Sequence, residues 1–148
     1  MEPFQTFFYE KYVLGLIENI TIQGLGVISA KLDSGNGAYN VLHGEDIEMD
    51  TKNKLVRFVT VNKISLEKDL LETININLGA GNTEHRPVVE FNVKFGDRVF
   101  KNVKFSIGNR TANEHKVLIG KDFIENELDA LIDVGVNNIA SKGIEVKV

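Results

Sequence analysis

A mainly β fold is predicted by three features of the chain. Short segments rich in Val, Ile and Phe recur from end to end, Gly, Asn and Asp punctuate them, and few windows sustain a helical period. A small barrel or sandwich is the architecture expected of such a pattern. The 148 residues, 43% hydrophobic and 26% charged, fit one compact domain spanning residues 1–148, with no repeat, low-complexity tract or linker to divide it.

The elements follow in order. Ile20-Thr21-Ile22-Gln23 and Val27-Ile28-Ser29-Ala30-Lys31-Leu32 read as strands joined by a Gly24-Leu25-Gly26 reversal, since Gly takes positive φ without a Cβ penalty. Asp50-Thr51-Lys52-Asn53-Lys54 is a polar turn leading into the β-rich Leu55 to Val61, one strand of a mobile hairpin. Residues 64–84 read as an insertion or elaborated loop: Glu67 to Leu71 favours a helical turn, Thr73 to Leu78 alternates like a strand, and Gly79-Ala80-Gly81-Asn82 is a loop. Pro87 to Phe95, the turn Gly96-Asp97, and Arg98 to Ile107 form the clearest hairpin. Val117-Leu118-Ile119-Gly120 is a short apolar strand, Lys121 to Asn126 the one short helix, and Leu128 to Val134 with Gly143 to Val148 supply closing strands.

Composition excludes several functions. Seventeen Lys+Arg against 21 Asp+Glu give a net charge of -4, with no cationic surplus for nucleic acid or an anionic membrane surface. No Cys is present, which removes disulfides, thiolate metal sites and Cys nucleophiles and leaves a cytoplasmic setting as the default. Met1 to Tyr12 carries Glu2 and Glu10 and does not read as a signal peptide. No stretch approaches the roughly 20 apolar residues of a membrane helix. His43, His85 and His115 stand in no metal-binding spacing, so neither a metal nor a cofactor is expected.

Two features stand apart from the generic β pattern: Leu32-Asp33-Ser34-Gly35 at the end of an apolar strand, and Val117-Leu118-Ile119-Gly120 about 85 residues later, before a short helix. Taken with Ala30-Lys31, Leu42-His43, Arg86-Pro87-Val88-Val89-Glu90-Phe91, Arg110 and Lys121-Asp122-Phe123, the order and spacing resemble the retropepsin-like aspartic proteases. The likeness is to the bacterial and viral type historically labelled ATP-dependent zinc proteases, over roughly residues 13 to 135. The chain offers neither a P-loop nor a zinc-ligand constellation to match that label.

The resemblance implies a retropepsin-like closed barrel with one short C-terminal helix. It also implies an aspartic peptidase that hydrolyses a peptide or amide bond of a peptide or protein substrate. Two carboxylates of such an enzyme share a proton and activate a water, because like charges a few ångströms apart split their pKa values. The chain has a single Asp-Ser/Thr-Gly, so a full site needs Asp33 from each subunit of a homodimer. Ser34 would hold the carboxylates coplanar across the dimer axis, Gly35 would let the backbone turn, and Leu118, Ile119 and Gly120 would pack beneath the loop. The hairpin Lys52 to Val61 would be a flap over an extended peptide. Asn36, Gly37, Ala38, Arg86 and Arg110 are candidate substrate-binding residues. Relatives that accompany ligases adding glutamate-type tails make an amide of such a tail a candidate substrate.

The sequence departs from that family where Asp33-Ser34-Gly35-Asn36-Gly37-Ala38 runs one residue long before Leu42-His43, where Asn113 replaces a usual Met, and where Lys121 replaces a usual Arg. This motivates a second reading: a catalytically inactive retropepsin-fold binding or assembly module, for instance of a phage particle, placed in host cytoplasm or virion. Bland readings compete at other positions. A strand-terminal Asp-Ser-Gly can simply cap a turn; Asp133-Val134-Gly135 lacks the hydroxyl of a second catalytic triplet; Gly35-Asn36-Gly37 lacks the third Gly and long helix of a dinucleotide site. His43 reads as satisfying a core or loop hydrogen bond, Arg86 and Arg110 as ion-pair partners that position loops, and Phe4, Phe7, Phe8 and Tyr9 as core or dimer interface.

Overall fold

The computed structural model describes residues 10–142. Its strands are, in chain order, β1 (Tyr12–Ile22), β2 (Gly26–Asp33), β3 (Asn40–His43), β4 (Glu45–Asp50), β5 (Leu55–Val59), β6 (Ser65–Asp69), β7 (Glu72–Gly79), β8 (Asn82–Phe95), β9 (Arg98–Gly108), β10 (Val117–Gly120) and β11 (Ala130–Asn137). A π-helical segment, Phe123–Leu128, follows β10, and one α-helical turn, α1 (Ile139–Lys142), follows β11. The protein is mainly β, as the alternation of apolar residues predicts. The expected strand Gly143 to Val148 and the aromatic cluster Phe4, Phe7, Phe8 and Tyr9 lie outside the described residues.

β1 and β2 pair antiparallel from Ile17↔Lys31 to Ile22↔Gly26, with Gly24 at φ 88° and Gly26 at φ 90° making the left-handed reversal that only Gly adopts cheaply. The large sheet runs β11-β1-β2-β10-β3-β9-β8-β7, and β1 pairs again with β8 through Thr21↔Lys94 and Ile22↔Val93. The pairings therefore close a ring, β1-β2-β10-β3-β9-β8. Within that ring Ile20, Ile22, Leu32, Leu42, Phe105, Ile107 and Ile119 are almost fully buried, each side chain contributing about 1.5–3 kcal/mol of apolar burial.

Two expectations for residues 45–84 are corrected. Residues 67–71 form no helical turn: Ser65–Asp69 is β6, paired antiparallel to β5 with Leu66 opposite Phe58 and Lys68 opposite Val56. The half-buried positions Leu66 and Lys68 alternate with exposed ones at a period of 2, Leu66 packing against the core and Lys68 over the Phe91 ring, and the Arg57–Glu67 ion pair at 2.8 Å bridges the exposed face of the same two strands. Nor is 64–84 a loop as a whole: the strand-like alternation of Thr73 to Leu78 falls in β7, which pairs with the first half of β8 from Glu72↔Val88 to Gly79↔Asn82. The turn joining β4 to β5 is closed by Asp50, which accepts hydrogen bonds from the Asn53 backbone (3.0 Å) and side chain (2.8 Å). The strands behind this tip are anchored, because Val56 (0% exposed) and Phe58 (1%) belong to the core. Among the described residues no helix is long and apolar enough to cross a membrane.

Candidate active site

β2 delivers Asp33 at its last position, with Leu32 buried immediately before it. There Oδ1 of Asp33 accepts the Gly35 N–H at 3.1 Å and the Asp33 carbonyl accepts the Asn36 N–H at 3.0 Å, so the triplet is a tight Asx-type turn with Ser34 and Gly35 exposed. Asn36 shapes the loop that follows the triplet. Its Oδ1 accepts the Ala38 N–H (3.0 Å) and its Nδ2 donates to the Tyr39 carbonyl (3.1 Å), folding Asn36-Gly37-Ala38 back on itself. The Tyr39 hydroxyl donates to Glu72, an interaction that raises the phenol pKa above its ordinary value.

β10 lies parallel to β2 with Gly120 level with Asp33 and Ile119 level with Leu32. Ile119 and Gly120 are buried and Leu118 is half-buried, so the sheet forms a floor under the loop. Two bonds fasten loop to floor: the Lys121 N–H donates to the Asn36 carbonyl (2.9 Å), and the Gly120 N–H donates to Oδ1 of Asn40 (2.8 Å). Asn40 is 6% exposed and also donates through Nδ2 to the Lys104 carbonyl (3.2 Å). Sequence reasoning passed over Asn40, although a polar residue heading an apolar run was a usable signal. Gly120 is required by space: a Cβ there would lie 2.9 Å from the Ala38 carbonyl and 3.1 Å from that of Asn36. Gly120→Ala is expected to cost about 1–3 kcal/mol and to displace the Asp33 loop, visible as a lower melting temperature with chemical-shift changes confined to residues 33–40 and 118–122.

Two guanidinium groups complete the surroundings. Arg86 is held by Glu84 (Nε to Oε1, 3.0 Å) and lies on Gly108, where a Cβ would sit 2.7 Å from Nε. Arg110 donates from Nε to the His115 carbonyl (2.7 Å), while the Lys116 ammonium gathers the carbonyls of Arg110, Thr111 and Asn113 at 2.7, 3.1 and 2.8 Å. The Arg110 pKa lies below its ordinary value because burial and the charge of Arg86 outweigh the opposing attraction of Asp33. Arg86 is thus an ion-pair partner, whereas Arg110, expected to be one as well, makes no ion pair among the described residues and is oriented by the His115 carbonyl. Asp133 repeats the turn chemistry of Asp33, accepting the Gly135 N–H at 3.0 Å, but lies exposed on β11.

The comparison that decides the lineage covers nearly the whole chain: the RimB-like family, described as retropepsin-like aspartic endopeptidase RimB, matches residues 13–143. The chain belongs to this family. A crystal structure of a protein of unknown function, DUF785, from Legionella pneumophila is similar to it at 26% identity and a TM-score of 0.69, with 87% of this chain and 98% of that chain covered. No curated protein matches.

In this RimB-like chain the loop after Asp33 also borders a groove of about 820 Å³, which runs from Gly37, Ala38 and Tyr39 past Ile74 to Val103 and Phe123. On the other side His43 is buried, with Nδ1 2.8 Å from the Arg110 N and Nε2 3.1 Å from Oε1 of Glu45. Both ring nitrogens are therefore engaged within the protein, and among the described residues no group of three His, Asp or Glu side chains could hold a metal ion. Glu45, bonded by His43 and facing the Lys63 ammonium, has its pKa lowered from 4.5. A depressed carboxylate contributes stability above its unfolded pKa and loses it as pH falls through the folded value. The protection factors of the amides at residues 43–45, measured against the intrinsic exchange rate at each pH, are accordingly expected to stay flat from neutral pH down to about 4.5 and to fall only below it.

Proposed function

We propose that the protein is an aspartic peptidase that cleaves a peptide or amide bond with a water held between the Asp33 carboxylates of a homodimer. The observation that supports this reading best is the placement of one half-buried carboxylate per chain at the end of β2, on a turn braced by Gly120, Asn40 and Asn36. Catalytic carboxylates need such a rigid mount, since displacement by an ångström costs orders of magnitude in rate. In this reading the ring of strands is a closed retropepsin-like barrel, and Ser34 and Gly35 lie at the two-fold axis.

One Asp33 is ionised and takes a proton from the water as it attacks the scissile carbonyl; the other is protonated and stabilises the developing gem-diol oxygens. The protonated carboxyl then passes its proton to the leaving nitrogen, so no covalent intermediate forms. The tip Thr51 to Lys54 of the β4–β5 hairpin closes over the extended substrate. Arg110, whose charge interacts with that of Asp33, and Arg86 beyond it are the substrate-binding cations of this reading and favour an acidic side chain or a terminal carboxylate in the substrate.

The test is mass-spectrometric detection of cleavage in a peptide library across about pH 4 to 8, because a pair of carboxylates sharing one proton works over a limited pH window, with sedimentation of the same sample. Cleavage by a dimer that is absent in Asp33→Asn supports the peptidase. A folded monomer without cleavage of the library or of glutamate-tailed peptides supports the binding module instead, the reading motivated by the refolded Asn36-Gly37 segment.

A further inference from the structure

The buried ring of His43, at 2% exposure, sits between two parts of the molecule that the chain itself joins only indirectly. On one side is the base of the β4–β5 hairpin, since Glu45 is the first residue of β4. On the other is the loop of residues 109–116, in which the Arg110 guanidinium donates to the His115 carbonyl and the Lys116 ammonium to the Arg110 carbonyl. The geometry fixes the tautomer. The Arg110 backbone nitrogen, 2.8 Å from Nδ1, carries a hydrogen, so Nδ1 must present a lone pair; the ring proton is then on Nε2, which donates to Oε1 of Glu45 at 3.1 Å.

Each partner is itself held. Glu45 also accepts from the Thr111 hydroxyl (3.3 Å) and the Lys63 ammonium (3.4 Å), and the His43 N–H donates to the Lys116 carbonyl (2.8 Å). The Gly44 N–H donates to the Gly108 carbonyl at 3.0 Å, next to the site where Arg86 lies on β9. A Cβ on Gly44 would come within 2.4 Å of Ile107, so the backbone between ring and hairpin has no room to shift.

We propose that His43 is a positioning residue: as the Nε2–H tautomer it sets the Arg110 backbone and the root of the β4–β5 hairpin at one fixed separation, so a single ring places both the Arg110 loop and the hairpin. Its two hydrogen bonds are separable by substitution. His43→Asn keeps an acceptor near the Nδ1 position and can still receive the Arg110 N–H, whereas His43→Gln keeps a donor near the Nε2 position and can still reach Glu45.

The link to cleavage rests on the proposed peptidase reading, but the positioning itself does not, so the experiment reads the two apart. A long-range ¹H–¹⁵N spectrum of the full-length protein reports the His43 tautomer, hydrogen exchange reports the Arg110 amide, and cleavage of any peptide found in the library reports kcat/KM. The expected results are an Nε2–H ring, Arg110 exchange about tenfold faster or more in His43→Gln but near wild type in His43→Asn, and kcat/KM lowered in the same order with Asn as the rescuing variant. An Nδ1–H ring, or Arg110 exchange that is alike in the wild type and both variants, overturns the proposal. If no variant and no wild type cleaves, the peptidase reading fails while the tautomer and exchange data still decide the role of His43.

Discussion

Asp33→Asn is expected to lower hydrolysis by at least about 10²–10⁴-fold while leaving the fold intact. Asn is isosteric and its Oδ1 can still accept the Gly35 N–H that shapes the turn, so Gly120, Asn40 and Asn36 keep their contacts. What is lost is ionisation: an amide neither takes a proton from the water nor returns one to the leaving nitrogen. In the proposed homodimer each subunit supplies half of the pair, so every dimer of the variant lacks both groups. The measurement is initial rate on a cleaved library peptide, with sedimentation and a melting curve on the same preparation. A variant that still cleaves at the wild-type rate removes Asp33 from the chemistry, and one that fails to fold returns the question to Asp33→Glu, which keeps the charge and moves it.

Glu18→Ala is expected to produce the largest stability loss of any single substitution considered. The Glu18 side chain is fully buried, and its carboxylate accepts three backbone N–H groups: Gly15 at 2.7 Å and Ile139 at 3.0 Å on Oε2, and Ala140 at 3.0 Å on Oε1. It stitches β1 to α1 across more than a hundred residues of chain. Alongside it the Asn19 N–H donates to Asn138 Oδ1 at 2.8 Å and the Asn138 N–H to the Ile17 carbonyl at 2.8 Å. Removing the carboxylate leaves three donors without an acceptor in a site with little access to water, a cost of about 3–5 kcal/mol. For a domain of this size that is a fall in melting temperature of roughly 10 °C or more. Glu18→Gln should lie between, because one oxygen survives while the amide hydrogens face backbone donors. Calorimetry of the three proteins checks both the size and the order; equal melting temperatures would show that the clamp contributes nothing.

The hairpins β1–β2 and β8–β9 were legible because local chemistry alone specifies them: Gly24 and Gly26 for a left-handed reversal, Gly96-Asp97 between two alternating apolar runs. The family was legible for a different reason, since its motifs are short, contiguous and correctly ordered along the chain. β6 was not, because Leu66 and Leu70 are compatible with either a helical or a strand period, and only pairing with β5 against Phe58 chooses between them. Glu18 stands outside the strand expected from Ile20 onward and becomes a buried clamp only once residues 139–140 return to it.

By itself, then, the sequence determined the β class, the turns, the family and the presence of a single Asp33-Ser34-Gly35 triplet at a strand end, all of which depend on residues near one another in the chain. Only the tertiary structure decided that Asn40 and Gly120 brace that triplet, that Arg110 shares its electrostatic neighbourhood with Arg86, and that His43 joins the β4–β5 hairpin to the Arg110 loop. Each of these is a contact between residues remote in sequence, brought together by the parallel pairings β2–β10 and β3–β9. Such pairings follow from joint burial of apolar faces across the whole ring of strands, a property that no local window of the chain contains.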